Sequence, residues 1–272
     1  MPLYINTNVA SLNAQRNLMK STNSLGRTFA RLASGMRINS ARDDAAGLAI
    51  TQRMTAQVRG LNQAIRNAND GISLAQVAEG ALDETSNALQ RIRELAVQSA
   101  NSTYNSADRE DLNKEVIQLL SEIQRISQHT EFNKMTLLGG SYRGQQFQVG
   151  AFSGQTITVS IFGASRGALG ISTITLSTTA GANSALRLVD NALDSIADIR
   201  ANLGAIQSRF EAVVGNLSNI VENMSAARSR IQDTDVAAET ATLTRNAILQ
   251  QAGTAVLAQA NQQPQLALQL LG

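Results

Sequence analysis

The apolar positions in the second half of the chain fall on one seam. Val189, Ala192, Ile196, Ile199, Leu203, Ile206, Phe210, Val213, Leu217, Ile220, Met224, Ala227 and Ile231 follow one another at alternating steps of three and four. An unbroken alternation over about six heptads is a coiled-coil seam, narrower and more regular than the stripe of an ordinary amphipathic helix. At about 1.5 Å per residue the seam predicts a rod roughly 60 Å long. A helix of that length needs another apolar face to pack against, because isolated helices are marginal in water.

The first half supplies candidate partners. Val58, Leu61, Ile65, Ala68 and Ile72 keep the same rhythm, which resumes through Ala75, Ala78, Leu82, Thr85, Leu89, Ile92 and Ala96. A third run is Leu112, Val116, Leu119, Ile123 and Ile126. The polar stretch NSTYNSADRE, residues 101–110, separates the last two and reads as a turn between helices. A long helix, a shorter one and a long returning one predict an elongated coiled-coil helical bundle, mainly α. Residues 139–183 change character and are rich in Gly, Ser and Thr. There FQVGAFSGQTITVSI alternates apolar and polar residues around a Ser-Gly turn, which predicts a small β-hairpin, with a further short strand at 174–176.

Both ends are amphipathic as well. Ile5, Val9, Leu12 and Met19 share a seam with Arg16 at the missing step, and Leu25, Phe29, Leu32 and Met36 continue it after a register shift. SGMRIN, residues 34–39, ends that helix. Ser40 and Asp43 have capping-box spacing for the start of the next. Asp235 is the expected cap of a last helix, whose loose seam holds Leu243, Ala247, Thr254, Leu257, Leu268 and Leu271. These terminal helices can pair with each other, but a pair rich in Ala and Gln buries little area. At about 25 cal/mol per Å², the gain barely offsets an ordering cost of roughly 1–2 kcal/mol per residue. The expectation is that the ends are poorly ordered in a lone subunit and order when copies stack. Head-to-tail contacts that do not close on themselves build an open helical filament.

Composition supports helix on helix. Aromatic residues make up 3% of the 272 residues, Trp is absent, and the only prolines are Pro2 and Pro264. Lys occurs only at 20, 114 and 134, so Arg carries nearly all of the positive charge, as suits surfaces packed against protein. A net charge of +2 implies no polyanion partner. Cysteine is absent, which removes disulfides, thiolate metal sites and Cys nucleophiles. No N-terminal signal peptide is visible, and no run approaches the length of a membrane helix. Catalytic chemistry is equally scarce. The single histidine, His129, reads as a turn residue, the Asp43–Asp44 pair and Asp233 and Asp235 as helix caps, and GGSYRG lacks the Lys of a phosphate loop. The chain is therefore expected to be no enzyme, with no cofactor, metal, nucleic acid or membrane as partner. One surface stands out. LQRIRELAVQSANST, residues 89–103, places Arg91, Glu94, Leu95 and Gln98 at helical spacing along one face. It reads either as a solvated face with one exposed leucine or as a contact surface for another protein.

The motifs INTNVASLNAQRNL, SGMRINSARDDAAGLAI, NANDGISLAQVAEGAL, LQRIRELAVQSANST, ARSRIQDTDVAAETA and ILQQAGTAVLAQANQQPQLALQLL, in that order, resemble bacterial flagellin. The resemblance covers nearly everything outside about residues 140–185. ARLASGMRIN departs slightly from the family's pattern, at Ala33 and Met36. The resemblance implies a minimal flagellin without variable outer domains. It assigns 1–43 and 233–272 to the helices of an inner coiled-coil layer. Residues 44–138 and 184–232 become the two halves of a helical rod, with 139–183 as its hairpin tip. Ile5, Val9, Leu12, Leu243, Leu257, Leu268 and Leu271 would carry inner-layer assembly. Arg91, Glu94, Leu95, Gln98 and Glu115 would form an inter-subunit contact that a host's flagellin-sensing Toll-like receptor also reads. The implied partners are other copies of the chain, a flagellar export chaperone on the C-terminal helix, and filament cap and hook-junction proteins. The implied location is the extracellular filament, reached through the flagellar export channel without a cleaved signal. The nearest alternative is a hook–filament junction protein with similar terminal coils.

Overall fold

The structure, a computed structural model, describes the backbone of residues 7–269 and the side chains of residues 7–262. Five helices dominate: α1 (Val9–Ser34), α2 (Ala45–Ala100), α3 (Ser106–His129), α4 (Thr179–Gln232) and α5 (Val236–Gln269). Four short strands lie between α3 and α4, namely β1 (Glu131–Phe132), β2 (Met135–Thr136), β3 (Gln145–Gln148) and β4 (Thr156–Val159). The fold is mainly α with small antiparallel hairpins. The chain forms two compact units, Gln57–Glu222 and Met1–Ala56 with Asn223–Gly272.

In the unit 57–222, α2 lies between two antiparallel partners. Ion pairs tie Arg93 to Asp190 and Asp83 to Arg200 on α4, and Arg91 to Glu115 on α3. The α4 seam expected from its heptads is buried or half-buried from Val189 to Leu217, but Ile220 is exposed. Being covered on two sides widens the buried stripe of α2 beyond a two-position seam. Adjacent residues enter it together, as Leu74 with Ala75 and Leu95 with Ala96 do. The largest fully buried side chain is Phe210, whose ring meets the edge of Phe147 from β3 at 5.6 Å. It occupies the space a side chain would need at position 71. A Cβ on Gly71 would lie 2.8 Å from two ring carbons.

The turn between α2 and α3 is tighter than the polar run 101–110 suggests. Asn105 caps α3, accepting from the Asp108 amide while Asp108 accepts from the Asn105 amide, so residues 106–110 are helical. The expected hairpin is present with Phe147 opposite Ile157, and β3 begins two residues earlier than the apolar alternation indicates. A second, smaller hairpin pairs β1 with β2. Its turn residues Asn133 and Lys134 both have positive φ, as a type I′ turn requires. The expected strand at 174–176 is absent. Its backbone partners are side chains instead: Asn113 accepts from the Leu176 amide, and the Ser99 hydroxyl donates to the Leu176 carbonyl. The segment is buried as a plug, with no neighbouring strand.

In the other unit, α1 ends at Gly35, whose φ of 69° is the left-handed cap that glycine adopts without strain. The capping box expected at Ser40–Asp43 closes a free-standing turn. Asp43 accepts from the Ser40 amide and hydroxyl at 3.0 Å each and from the Asn39 amide at 3.3 Å. The Ser40 hydroxyl is the main reason the Asp43 carboxyl stays below the ordinary carboxylate range, with the Ser40 amide next. The residue that caps α2 is Asp44, which accepts from the Gly47 amide at 2.8 Å. An acid one position later takes the helix start and leaves Asp43 to the turn. Asp235 caps α5 as expected, accepting from the Ala237 and Ala238 amides.

The packing of Phe210 yields a direct test. Phe210→Ala removes the largest buried ring and is expected to cost about 3–5 kcal/mol. Gly71→Ala, which trades a helix-propensity gain of about 1 kcal/mol against overpacking, is expected to be net destabilising. Thermal unfolding followed by circular dichroism measures both. An unchanged midpoint for F210A would contradict this packing.

Candidate assembly and contact surfaces

The two terminal helices run antiparallel. The Asn8 side chain donates to the Ala260 carbonyl at 2.8 Å, Ser11 donates to Asn261 at 2.7 Å, and farther along the Gln250 side chain donates to Thr22 at 3.5 Å. The residues of α1 that face α5 mix small and polar side chains with leucines. Ser11 and Thr28 are buried, and Ala14, Leu18, Ser21 and Leu25 are half-buried between them. On α5 the covered positions are of mixed chemistry: Glu239, Thr242, Leu243, Asn246, Ala247, Gln250, Gly253, Leu257 and Ala260. Gly253 admits Leu18, whose Cδ1 would lie 3.3 Å from a Cβ at that position.

This arrangement corrects the expected seam of α1. Val9, Leu12, Met19 and Phe29 point away from α5 and are 61%, 50%, 66% and 58% exposed. Thr254, expected on the α5 seam, is exposed too, whereas Leu243 and Leu257 are half-buried. The large apolar residues exposed on the described part of α5 are Val236, at its first position, and Ile248, Leu249 and Val256, at 58%, 59%, 50% and 58%. The expected seam holds at Leu25 and Leu32 of α1, at Met36 just beyond it, and at Leu243, Ala247 and Leu257 of α5, all half-buried, and fails in the first half of α1. There Ser11, Ala14 and Ser21 line the pairing beside Leu18, and the small and polar residues allow the two helices to approach closely and to bond across the seam. The pair thus also presents large apolar side chains outward. Ile5 and Leu271 lie outside the described residues, as does the side chain of Leu268.

The second surface lies on α2 and α3. Arg91 donates to Glu115 at 2.8 Å and to Glu94 at 3.0 Å, and both acids hold its guanidinium charged. Gln98 donates to the Tyr104 hydroxyl at 3.0 Å. Arg91 and Glu94, with Glu115 from α3, thus form one exposed hydrogen-bonded group, with Gln98 exposed on the same face of α2 and bonded separately to Tyr104. Leu95 does not belong to it. It is 1% exposed and sits in the widened core stripe, so the expectation of an exposed leucine is overturned. The exposed apolar residue nearby is Val97, which lines a shallow groove with Gln90, Arg93 and Glu94. A larger open groove between α2 and α3 has Ala88, Leu119 and Ile126 among its lining residues, together with Arg91, Glu122 and Arg125. Sequence spacing misses the burial of Leu95 because a single-seam pattern does not report a helix packed on two sides.

Among the described residues, no cluster of His, Cys, Asp or Glu could hold a metal, and no helix is long and apolar enough to cross a membrane. His129 occupies the last turn of α3. Helical packing, terminal helices with outward apolar side chains and an exposed polar patch are the features of a helical structural protein.

Comparison with known proteins sharpens that class. Residues 5–143 match the family model of the bacterial flagellin N-terminal helical region, and residues 186–271 that of the C-terminal helical region. A flagellin of Halalkalibacterium halodurans is 49% identical over 273 aligned positions, covering 99% of this chain and 100% of the relative. Flagellin B of Vibrio cholerae is 36% identical over 376 positions that cover all of both chains. The crystal structure of Bacillus cereus flagellin superposes with a TM-score of 0.51 at 33% identity, covering 60% of this chain and 94% of the other. The chain belongs to the bacterial flagellin family, in a form lacking the outer domains. It is a structural subunit of the flagellar filament, an extracellular appendage, and not an enzyme.

Core and surface separate cleanly in a paired experiment. Leu95→Ala is expected to lower stability by about 2–5 kcal/mol, the range for deleting a buried leucine. Arg91→Ala is expected to leave the unfolding midpoint unchanged within error, because exposed ion pairs contribute little. Denaturant titration of both variants measures this. Equal losses would show that the patch is structural.

Proposed function

We propose that the chain polymerises by burying the outward apolar faces of α1 and α5 against the same helices of neighbouring copies. The observation that carries this reading is the exposure of Val9, Leu12, Met19, Phe29, Ile248, Leu249 and Val256 on a pair whose own seam mixes a few half-buried leucines with small and polar residues. Contiguous exposed apolar surface marks association. Inner-layer assembly is assigned to Val9 and Leu12 on the outward face and to Leu243 and Leu257 on the seam. Ile5, Leu268 and Leu271 belong to the same proposal through their place in the family's motifs. The terminal segments 1–43 and 233–272 become fully ordered only in the polymer, and 44–138, 139–183 and 184–232 form the layer around them. Self-association along non-closing contacts gives a helical filament.

The same reading extends to partners. An exposed apolar helix needs a cover before assembly, which supports an export chaperone on α5. Cap and hook-junction proteins meet the two ends of the polymer. Export through the flagellar channel accords with helices that order late. The patch of Arg91, Glu94, Gln98 and Glu115 is assigned to inter-subunit contact and to recognition by a host Toll-like receptor. Its support is a fixed constellation of exposed charge-paired groups on two helices. Leu95 acts beneath it, holding the spacing of α2 and α3. A hook–filament junction role is disfavoured by 49% identity to a flagellin over essentially the full length.

A chain truncated after Asn246 loses Ile248, Leu249 and Val256 and is expected to keep the helical unit 57–222 while failing to form filaments. Circular dichroism and electron microscopy read the two outcomes. Filaments from the truncated chain would overturn the proposal.

A further inference from the structure

The segments that carry the chain into and out of the terminal helix pair run side by side. The amides of Arg37 and Thr234 donate across them to the Gln232 and Gly35 carbonyls at 2.7 and 3.0 Å, and Met36 faces Asp233 in an antiparallel bridge. The Arg37 guanidinium adds a bond to the Ile231 carbonyl at 2.7 Å. Five acids lie in or next to these connectors. Asp44 and Asp235 are occupied as helix caps, and Asp233 is exposed. The other two, Asp43 and Glu239, have side chains only 15% and 14% exposed, and both turn an oxygen toward Arg31. One terminal nitrogen of Arg31 is 4.0 Å from Asp43 and the other is 4.0 Å from Glu239. Arg37 of the N-terminal connector is used on a carbonyl. The Arg31 Nε is buried with no acceptor, so packing and charge hold this side chain, and hydrogen bonding contributes little.

We propose that Arg31 is a latch that couples the two ends of the chain, so that α1 and α5 order and loosen as one unit. The inference rests on the assembly reading above, in which the terminal helices order late. One cation at the end of α1 neutralises a carboxylate from the N-terminal connector and a carboxylate from the first turn of α5. Without it, the largely covered Glu239 carboxylate loses its cation and Asp43 keeps only its hydrogen bonds to Ser40 and Asn39, and covered carboxylates without a counter-charge are costly to keep out of water. Both connectors are then pushed apart together, although their residues are about two hundred positions apart in the chain. An arginine suits this place better than a lysine, because its fork presents separate nitrogens to the two acids.

The test is amide exchange on the dilute, full-length chain. In Arg31→Ala the amides of Arg37, Thr234 and Glu239 are expected to exchange about tenfold faster together, while amides within 57–222 keep their wild-type rates. Adding Glu239→Gln and Asp43→Asn to R31A removes the uncompensated charges and is expected to restore at least half of the lost protection on a logarithmic scale. A side chain that acted by packing alone would show no such rescue. The latch is overturned if Arg37 loosens while Thr234 and Glu239 do not, if no amide responds, or if the triple variant stays as loose as R31A. Polymerisation of the wild-type chain is followed in parallel. Its failure would sink the assembly reading, and the amide comparison would still decide the latch.

Discussion

Everything else in this protein follows from how α1 meets α5. Two amphipathic helices joined at their large apolar faces would satisfy one another and leave a polar exterior. Here Ser11, Thr28, Gly253 and Ala260 occupy the contact instead, with Asn8, Gln250 and Asn261 bonding across or beside it. Leu18, Leu25, Leu243 and Leu257 are only half-buried between these small and polar positions, and Val9, Leu12, Met19, Phe29, Ile248, Leu249 and Val256 are left facing out. A seam of this kind fixes register through polar pairing, as polar positions do in coiled coils generally. It leaves the hydrophobic contribution to be realised between copies.

The unit 57–222 is built on the opposite principle. Its helices bury Leu82, Leu89, Ile92 and Leu95 of α2 together with Val189, Ile196, Leu203 and Phe210 of α4, and the hairpins close over the core with Phe147, Ile157 and Val159. Most of its large apolar residues are buried within one chain, although Val97, Ile117, Phe152 and Phe162 stay exposed. Its exposed faces carry charge pairs such as Arg91–Glu115 and Arg93–Asp190, which set specificity more than stability. One chain thus combines a unit stable by itself with a helix pair whose stability is shared with neighbours.

Much of this is legible from spacing. The alternation of three and four locates α2, α3 and α4, because only a helix keeps so long a run of apolar residues on one face. Asp235 and the Phe147–Ile157 hairpin follow from capping and alternation. What spacing misjudges has a common cause. A periodic pattern reports that a face is apolar, not what covers it. Spacing alone puts Leu95 on the surface, because the pattern does not show that α2 is packed on two sides. It puts Val9, Leu12 and Met19 on a seam whose actual occupants are Ser11, Ala14, Leu18 and Ser21, of which only Leu18 carries a strong hydrophobic signal. At 174–176 an apolar run reads as a strand, but its backbone is satisfied by Asn113 and Ser99 from distant helices. The motifs that match the flagellin family cover most of these segments, so family membership is clearer from sequence than the contacts within it.

The central claim is that α1 and α5 gain most of their stability from neighbouring copies. Amide exchange measured on dilute monomer and on assembled filament tests it most directly. Amides of α1 and α5 should exchange at least about a hundredfold faster than those of the buried helices in the monomer, and slow to comparable rates in the filament. Terminal helices as protected as the buried core in dilute monomer, with no change on polymerisation, would contradict the account.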